Sequence, residues 1–384
     1  MKRLSWHEQA AYRARVRGCL LGGAIGDALG NPIEMKSMVT VEAEYGPTGI
    51  TGLVPDREGV VGRITDDTQM TLFTAEGWLQ SYRRIMAKGI SGAETAIVKD
   101  AYLRWLDTQQ HAAPPPAEGL RHRIGQLRHE QWLYARRAPG RACEYGLQQD
   151  HVPDAHAPVD GTPGPVNPDA KGCGSVMRSA PFGFVGRGAT GRGDEWAFEV
   201  AARCARITHG HPTAHLASGA FAAMISRLVA GDPLPEAVRR GMELLAGYPG
   251  HQETLAALRR AVALAEAGPA TPSTVESLGG GWTAEEALAI AVHAALARTD
   301  YWRHRTPVES AFLLSVNHSG DSDSTGAICG NLLGAHYGDG LLPPEWLSRI
   351  EGRAVIAALA DDFAAEVHPG EDRPWLHGMQ LAGS

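Results

Sequence analysis

The chain has 384 residues, of which 43% are hydrophobic and 21% are charged, and its formal net charge is −7. This composition provides enough apolar residues for a sizeable core and excludes gross disorder. The weakly acidic charge gives no basic surface for holding nucleic acid through its phosphates. We therefore do not expect nucleic acid to be the main partner, while contact with a nucleic acid or a nucleotide stays open.

The five cysteines lie far apart, and no two of them form a C-x-x-C pair. An odd, scattered set argues against a disulfide framework and against a zinc ribbon, and it fits a reducing compartment. The first apolar run, residues 18–30, follows a basic segment, is short and contains Asp27. It therefore matches neither a secretory signal nor a membrane span. We expect a cytoplasmic monomer without a membrane partner.

Apolar residues recur at three-to-four spacing in many segments, which predicts α-helices. The strongest of these segments are 8–29, 67–86, 92–106, 195–207, 213–230, 253–267, 283–298 and 323–337. Alternating runs of β-branched residues are nearly absent, and no repeat period is found. We therefore expect an all-α fold, a compact multi-helix bundle rather than a solenoid.

Residues 109–170 differ in composition from the rest of the chain, with several prolines and many arginines and histidines. We predict a long excursion over the surface with one helix around Trp132, since loops of this length are usually functional or mobile. Helical segments that carry motifs lie on both sides of the excursion. The sequence therefore favours one domain over residues 1–384.

Two helical segments carry a glycine at every fourth position. The two sets are Gly18, Gly22, Gly26 and Gly30, and Gly326, Gly330, Gly334 and Gly338. On a helix each set lies near one face, and a mid-helix glycine costs about 1 kcal/mol relative to alanine. Close approach of two backbones is the simplest compensation, so we predict two tightly packed central helices, one from each end of the chain. The alternative is that one set belongs to a glycine-rich loop.

Two pairs of carboxylates lie where predicted helices begin. Asp66 and Asp67 precede one helix, and Asp321 and Asp323 precede another, each pair flanked by hydroxyl residues. One aspartate would be an ordinary N-cap, but a cap needs a single oxygen, whereas neighbouring carboxylates repel. A cation removes the repulsion, and an all-oxygen ligand set is typical of Mg²⁺, Mn²⁺ or Ca²⁺ and not of zinc. We therefore predict a metal site, large enough for two ions, that joins the two pairs.

Two further patterns carry binding chemistry. The glycine-rich turn at residues 171–178 offers free backbone N–H groups that can hold a diphosphate. His209, His211 and His215 have a spacing that would suit zinc. No carboxylate or thiolate lies near them in sequence, and Pro212 predicts a helix start. We therefore do not expect a zinc site.

Six segments taken together resemble the ADP-ribosylglycohydrolase family, and they match in order over nearly the whole chain. They are GCLLGGAIGDALGNPIE (18–34), ITDDTQMTLFTAE (64–76), KGCGSVMRSAPFG (171–183), ITHGHPTAH (207–215), GGGWTAEEALAIA (279–291) and HSGDSDSTGAICGNLLGAHYG (318–338). The first two and the last are specific signatures. The resemblance implies a single all-α domain with two Mg²⁺ (or Mn²⁺) ions at its centre.

The resemblance also implies roles for individual residues. The implied metal ligands are Thr65, Asp66, Asp67, Asp321, Asp323 and Ser324. The implied substrate-binding residues are Gly172, Cys173, Gly174, Ser175, Met177 and His209. The resemblance implies structural roles for His211 and His215. Glu34 would lie on a mobile flap, and it is a candidate catalytic acid or base together with Asp66 and Asp67.

Three other positions have weaker assignments. Arg178 would be a structural or phosphate-facing cation. Trp282 matches a family position, with core packing as the ordinary alternative for an aromatic residue. Cys173 stands where some relatives carry Asn, and we do not expect it to be a nucleophile.

The implied reaction is Mg²⁺-dependent hydrolysis of the glycosidic bond between ADP-ribose and a modified target, with release of ADP-ribose. The motifs lie nearer the arginine-linked branch of the family than the serine-linked branch, so we expect protein ADP-ribosylarginine as the substrate. The alternatives are a non-catalytic ADP-ribose-binding module, hydrolysis of O-linked (serine), nucleic-acid or small-molecule ADP-ribose, and cleavage of the diphosphate with release of AMP. The presence of all four aspartates favours an enzyme.

Overall fold

A computed structural model describes residues 4–185 and 193–369 of the chain. Within these residues all regular structure is helical, apart from two isolated β-bridges. The α-helices are α1 (Trp6–Gly30), α2 (Met38–Tyr45), α3 (Asp66–Lys88), α4 (Glu94–Gln110), α5 (Arg141–Gln148), α6 (Gly193–Ala205), α7 (Pro212–Ala230), α8 (Leu234–Ala246), α9 (Gln252–Ala267), α10 (Pro272–Glu276), α11 (Ala284–Leu296), α12 (Pro307–Val316), α13 (Ser322–Tyr337), α14 (Pro344–Leu347) and α15 (Arg353–Val367). The prediction of an all-α fold is confirmed.

The eight predicted segments correspond to α1, α3, α4, α6, α7, α9, α11 and α13, with ends that differ by about one helical turn at most. These helices combine a regular apolar spacing with long uninterrupted runs, which is where periodicity is most informative. No helix of the described chain has both the length and the hydropathy that a bilayer crossing requires.

The two glycine-bearing helices, α1 and α13, pack against each other in antiparallel orientation. A methyl group added to Gly18, Gly22 or Gly26 would overlap the carbonyl group of Gly334, Gly330 or Gly326 respectively. No residue larger than glycine fits at these crossings, so backbone meets backbone along the interface. The prediction of two tightly packed helices from the two ends of the chain is confirmed.

One glycine of the two predicted sets does not lie within a helix. Gly338 lies just beyond the end of α13 and caps it, with a φ of 77°. This left-handed conformation is readily available to glycine, and its N–H donates to the carbonyl of Gly334. The set of glycines that lies within α13 therefore ends at Gly334.

The predicted helix around Trp132 is wrong. Trp132 lies in a single 3-10 turn, Gln131–Leu133. The α-helix of this region is α5, which begins later in the chain, at Arg141. The region is also less superficial than its composition predicts, because Leu133, Cys143 and Val166 are fully buried. A few apolar side chains attach this proline-rich segment to the core without forming regular structure.

A buried ion pair holds the same region against α3 and α4. Arg104 donates to the carboxylate of Glu76 at 2.9 and 2.7 Å, and both side chains are almost fully buried. The second Glu76 oxygen accepts the backbone N–H groups of Gln126 and Leu127 at 2.6 and 2.9 Å. Because every strong donor here has a partner, burying the pair does not leave an uncompensated charge.

Candidate active site

The first carboxylate pair lies in the first turn of α3. Thr65 is the N-cap residue, and its hydroxyl accepts the N–H of Asp67 at 3.3 Å. The capping role therefore belongs to the threonine. Asp66 and Asp67 are nonetheless buried, with 4% and 3% of their surface exposed.

The second pair lies at the start of α13. Asp321 is the N-cap residue and accepts the N–H of Ser324 at 3.3 Å, while Asp323 accepts the same N–H at 3.0 Å. The N–H of Asp321 donates to the carbonyl of Gly280 at 2.8 Å. The helix start and the 279–281 turn together fix this second pair, which is also buried.

Asp27, inside the glycine helix α1, joins the first pair to the centre of the molecule. Its two carboxylate oxygens both accept the N–H of Thr65 at 3.0 Å, and one also accepts the N–H of Thr68 at 3.1 Å. Asp27 has no exposed surface. Asp27 is not among the site residues predicted from sequence, although a carboxylate among glycines in a buried helix is itself a signal, because acids are rarely buried without partners.

The carboxylates influence one another strongly. Burial raises the pKa of Asp67 well above its ordinary value, and the charge of Asp323 raises it further. Burial and the same Asp323 charge raise the pKa of Asp66 well above its usual range and that of Asp27 to about 7. Burial and Asp323 also raise the pKa of Asp321. The carboxylates of the two helix starts are therefore electrostatically coupled.

The donor set fits a hard cation. In residues 4–185 and 193–369, no three Asp, Glu, His or Cys side chains already converge as a ready metal-binding group. However, Oδ1 of Asp67 is buried without a hydrogen-bond partner, and an unsatisfied buried carboxylate oxygen is costly. A divalent cation would give this oxygen a partner and would offset the repulsion between the two pairs.

Glu34 joins the same centre from the end of α1. The 3-10 turn Asn31–Ile33 leads to it, and the side chain is half-buried. Burial raises the pKa of Glu34 to about 8, the charge of Asp323 adds to this, and the charge of Arg57 opposes it. The predicted catalytic candidate therefore lies within electrostatic range of the predicted metal ligands.

The predicted substrate loop touches the second carboxylate pair. The thiol of Cys173 donates to Oδ2 of Asp321 at 2.7 Å. The N–H of Cys173 donates to the carbonyl of Trp282 at 3.1 Å, so the loop is attached to the segment that precedes α11. Burial and the Asp321 charge raise the pKa of the thiol well above its ordinary value. A thiol held in its neutral form is a poor nucleophile, in agreement with the expectation from sequence.

The remaining residues of the substrate set divide into two groups. A methyl group added to Gly172 or Gly174 would lie 3.5 Å from Nε2 of His209, so these two glycines border the imidazole. Ser175 and Met177 are buried beneath the loop, where the Ser175 hydroxyl bonds to backbone carbonyls. They support the loop from below rather than presenting polar atoms to a ligand.

The three histidines of the H-x-H-x₃-H pattern do not form a metal site. His211 caps α7 by accepting the N–H of Thr213 at 3.2 Å. Nε2 of His215 lies 2.8 Å from the carbonyl of His209. His209 itself pairs through Nδ1 with the hydroxyl of Thr208 at 2.8 Å. Each ring is engaged in a local contact, which agrees with the structural role expected for His211 and His215.

Arg178 has a structural environment. Its guanidinium donates to the Thr208 hydroxyl at 2.6 Å and to the Cys143 sulfur at 3.3 Å, and it lies 4.3 Å from the centre of the Tyr102 ring. Only 1% of the residue is exposed. Of the two interpretations made from sequence, the geometry favours the structural cation.

Trp282 is not a core residue. It is 43% exposed, so the core-packing alternative is wrong for this aromatic residue. The preceding glycines explain the difference, because Gly279 and Gly281 adopt φ values of 123° and 78° that bring the chain round at the surface. The backbone of Trp282 binds the substrate loop while its indole ring remains accessible.

The chain is similar to known proteins over most of its length. The family model described as ADP-ribosylglycohydrolase matches residues 8–373. The chain is 24% identical over 343 residues to the ADP-ribosyl-[dinitrogen reductase] glycohydrolase of Rhodospirillum rubrum, covering 88% of this chain and 90% of that protein. It is also 24% identical over 349 residues to an uncharacterized protein of Archaeoglobus fulgidus, covering 90% and 94%.

A solved structure supports the same fold. The chain matches a structure titled ADP-ribosylglycohydrolase-related protein complex with a TM-score of 0.61 and 24% identity, covering 93% of this chain and 99% of that one. This likeness concerns the fold, whereas the family model extends over nearly all of the sequence. The chain belongs to the ADP-ribosylglycohydrolase family and is a hydrolase of ADP-ribose linkages.

Proposed function

We propose that the chain is a Mg²⁺-dependent hydrolase of protein ADP-ribosylarginine that releases ADP-ribose. The observation that carries this proposal is the electrostatic coupling of four buried carboxylates from two helix starts, Asp66 and Asp67 with Asp321 and Asp323. A strongly acidic buried centre without a counter-charge is unfavourable by itself. Its chemistry is that of a site built for divalent cations.

In this proposal two Mg²⁺ (or Mn²⁺) ions are held by oxygen atoms from both helix starts. The ligands are Thr65, Asp66, Asp67, Asp321, Asp323 and Ser324. When bound, the ions supply positive charge that polarises a substrate oxygen and lowers the pKa of water. Asp27 holds the backbone of Thr65 and Thr68, and so fixes the loop from which the first set of ligands extends.

The substrate-binding side is proposed to be the 172–175 loop with His209. The backbone of the loop would hold the diphosphate of ADP-ribose, with Gly172 and Gly174 leaving room beside the imidazole. The hydrogen bond from Cys173 to Asp321 connects this loop to the carboxylates. A ligand on the loop would therefore have its ribose end near the acidic centre.

Proton transfer is assigned to the carboxylates that face this position. Glu34 is the first candidate, because it is half-buried beside the carboxylate pairs and burial raises its pKa, which favours a carboxyl group that can exchange a proton. Asp66 and Asp67 are the alternatives. The assigned residue protonates the leaving nitrogen or accepts a proton from the attacking water.

The arginine-linked protein target rests on two observations. The motifs of this chain resemble the arginine-linked branch of the family, and the Rhodospirillum rubrum relative is named for a protein substrate. Hydrolysis would break the bond between the ribosyl C1″ and the guanidinium nitrogen, with water supplying a hydroxyl group to the sugar and a proton to the nitrogen.

The test is incubation of the purified protein with an arginine-ADP-ribosylated protein, in Mg²⁺ and in EDTA, with mass spectrometry of the released nucleotide. We expect release of intact ADP-ribose in the presence of Mg²⁺ and no release in EDTA. Asp67→Asn and Asp323→Asn should reduce the rate at least about a hundredfold. Asp300→Asn, at an exposed position, is the matched control and should retain full activity.

Three outcomes would contradict the proposal. Release of AMP would indicate cleavage of the diphosphate. Equal rates of ADP-ribose release in Mg²⁺ and in EDTA would show that the reaction does not depend on the metal. Turnover of serine-linked or nucleic-acid-linked substrates, with none of the arginine-linked protein, would retain the reaction class and overturn the target.

A further inference from the structure

Trp282 is an accessible aromatic ring fixed beside the acidic centre. A methyl group added to Gly280 would lie 2.8 Å from Cδ1 and 3.0 Å from Nε1 of the indole, so the ring covers Gly280 closely. The carbonyl of Gly280 accepts the N–H of Asp321 at 2.8 Å. The indole therefore lies next to the backbone that fixes one of the proposed metal ligands, and it is still 43% exposed.

Met35 is a second exposed apolar side chain attached to the same segment. Its N–H donates to the carbonyl of Gly320 at 3.1 Å, and it directly follows Glu34. Met35 is 68% exposed and adopts a φ of 63°, in the left-handed region that side chains other than glycine seldom occupy. Strain of this kind is retained where the surrounding structure imposes it, often at ligand sites.

Both residues thus flank the short segment from Ser319 to Asp321 while exposing apolar surface. A large aromatic side chain is ordinarily buried, and here the glycine turn holds the ring at the surface next to the backbone that fixes Asp321. The π-face of an indole attracts a planar cation, and the carboxylates of the neighbouring site attract positive charge as well.

We propose that Trp282 forms the subsite for the leaving group, and that the indole face stacks on the planar guanidinium of the ADP-ribosylated target. This inference rests on the proposed arginine-linked function and makes Trp282 its specificity-determining residue. A serine-linked target offers no planar cation at this position. The residue therefore acts on the choice of linkage and not on the affinity for the ADP-ribosyl group.

The test compares wild type, Trp282→Phe and Trp282→Ala. The substrate is ADP-ribosylagmatine, which presents a guanidinium without other protein contacts. Trp282→Ala should lower kcat/KM about tenfold, the loss expected for one partly desolvated cation–π contact. Trp282→Phe should lose less, since it retains a ring. The affinity for free ADP-ribose, measured by calorimetry, should stay unchanged in both variants.

Trp6→Ala is the matched control, because Trp6 is 74% exposed near the start of α1; it should leave all of these values unchanged. A parallel loss of ADP-ribose affinity in Trp282→Ala would place the ring under the nucleotide and overturn the inference. An unchanged kcat/KM would overturn it as well. The proposed function fails separately, if the wild-type protein itself releases no ADP-ribose from ADP-ribosylagmatine.

Discussion

Asp27 accepts the backbone N–H of Thr65 at 3.0 Å with both of its carboxylate oxygens. This contact connects α1, which carries one glycine stripe, to the loop that begins α3. The other glycine helix, α13, begins with Asp321 and Asp323. The close packing of α1 and α13 therefore serves the site directly, because it brings both carboxylate pairs to the same end of the helix pair.

Replacing Asp27 with Asn tests this contact. The side chain keeps its size but presents an N–H group to backbone donors that need an acceptor. We expect the free energy of unfolding to fall by about 1–3 kcal/mol, and the affinity for Mn²⁺ to weaken about 10- to 100-fold. Urea denaturation and calorimetric titration measure the two effects, with Asp300→Asn as the exposed control. An unchanged Mn²⁺ affinity would show that Asp27 does not support metal binding through the Thr65 loop.

At the interface between α1 and α13, replacing glycine with alanine should change the stability in the direction opposite to that expected from helix propensity. Alanine in a helix is favoured over glycine by about 1 kcal/mol, but a methyl group on Gly22 would overlap the Gly330 carbonyl. We therefore expect Gly22→Ala to destabilise the protein by about 3 kcal/mol. Gly340→Ala is the control, since a methyl group there has no neighbour within 4 Å. Stabilisation by Gly22→Ala would contradict the packing.

Much of this architecture follows from the sequence, because it depends on local patterns. The four-residue spacing of Gly18 to Gly26 and of Gly326 to Gly334 places each set on one face of its helix, and close backbone contact is the simplest explanation for it. The pairs that begin at Asp66 and Asp321 likewise stand out, since two closely spaced acids exceed what a cap needs. These features need no knowledge of the rest of the fold.

Other features depend on contacts between distant segments and could not be predicted in this way. Asp27 has meaning only once Thr65 is next to it, 38 residues away in sequence. Trp282 resembles a core residue until the positive φ values of Gly279 and Gly281 are known. The path of residues 109–170 is set by buried contacts with other segments, such as those of Gln126 and Leu127 with Glu76, and its composition does not reveal them. That residues 1–384 form one domain stays a prediction.

Removing the buried acid at Glu76 should be far more damaging than removing an exposed one. Glu76→Gln leaves Arg104 buried without its counter-charge, which should cost about 3–5 kcal/mol. The control is Glu366→Gln, whose partner Arg83 has a side chain that is 50% exposed, and here we expect less than about 1 kcal/mol. Chemical denaturation measures both. Similar losses of unfolding free energy in the two variants would show that the buried pair contributes no more to stability than the exposed pair.

The buried histidines predict a loss of stability in acid. Burial, assisted by the charge of Arg206, lowers the pKa of His215 to about 3. A histidine whose folded pKa is depressed contributes stability above its unfolded pKa of about 6.5 and loses it as the pH falls towards the folded value. Between pH 6.5 and 5 this single group should cost about 2 kcal/mol.

His215→Asn isolates this contribution. The variant loses the contact with the His209 carbonyl and should be less stable at pH 7.5, but its stability should decline less steeply than that of wild type between pH 6.5 and 5. Urea denaturation at four pH values in this range gives the two slopes. Parallel slopes would mean that His215 does not change its protonation on unfolding.

The proposed function requires that the two helix starts hold the same metal ions. Anomalous diffraction from crystals of the wild-type protein grown with Mn²⁺, compared with crystals of Asp67→Asn, measures this. We expect manganese peaks bounded by Asp66 and Asp67 on one side and by Asp321 and Asp323 on the other, weakened or lost in the variant. Manganese bound elsewhere, or no manganese in a protein that still releases ADP-ribose, would contradict it.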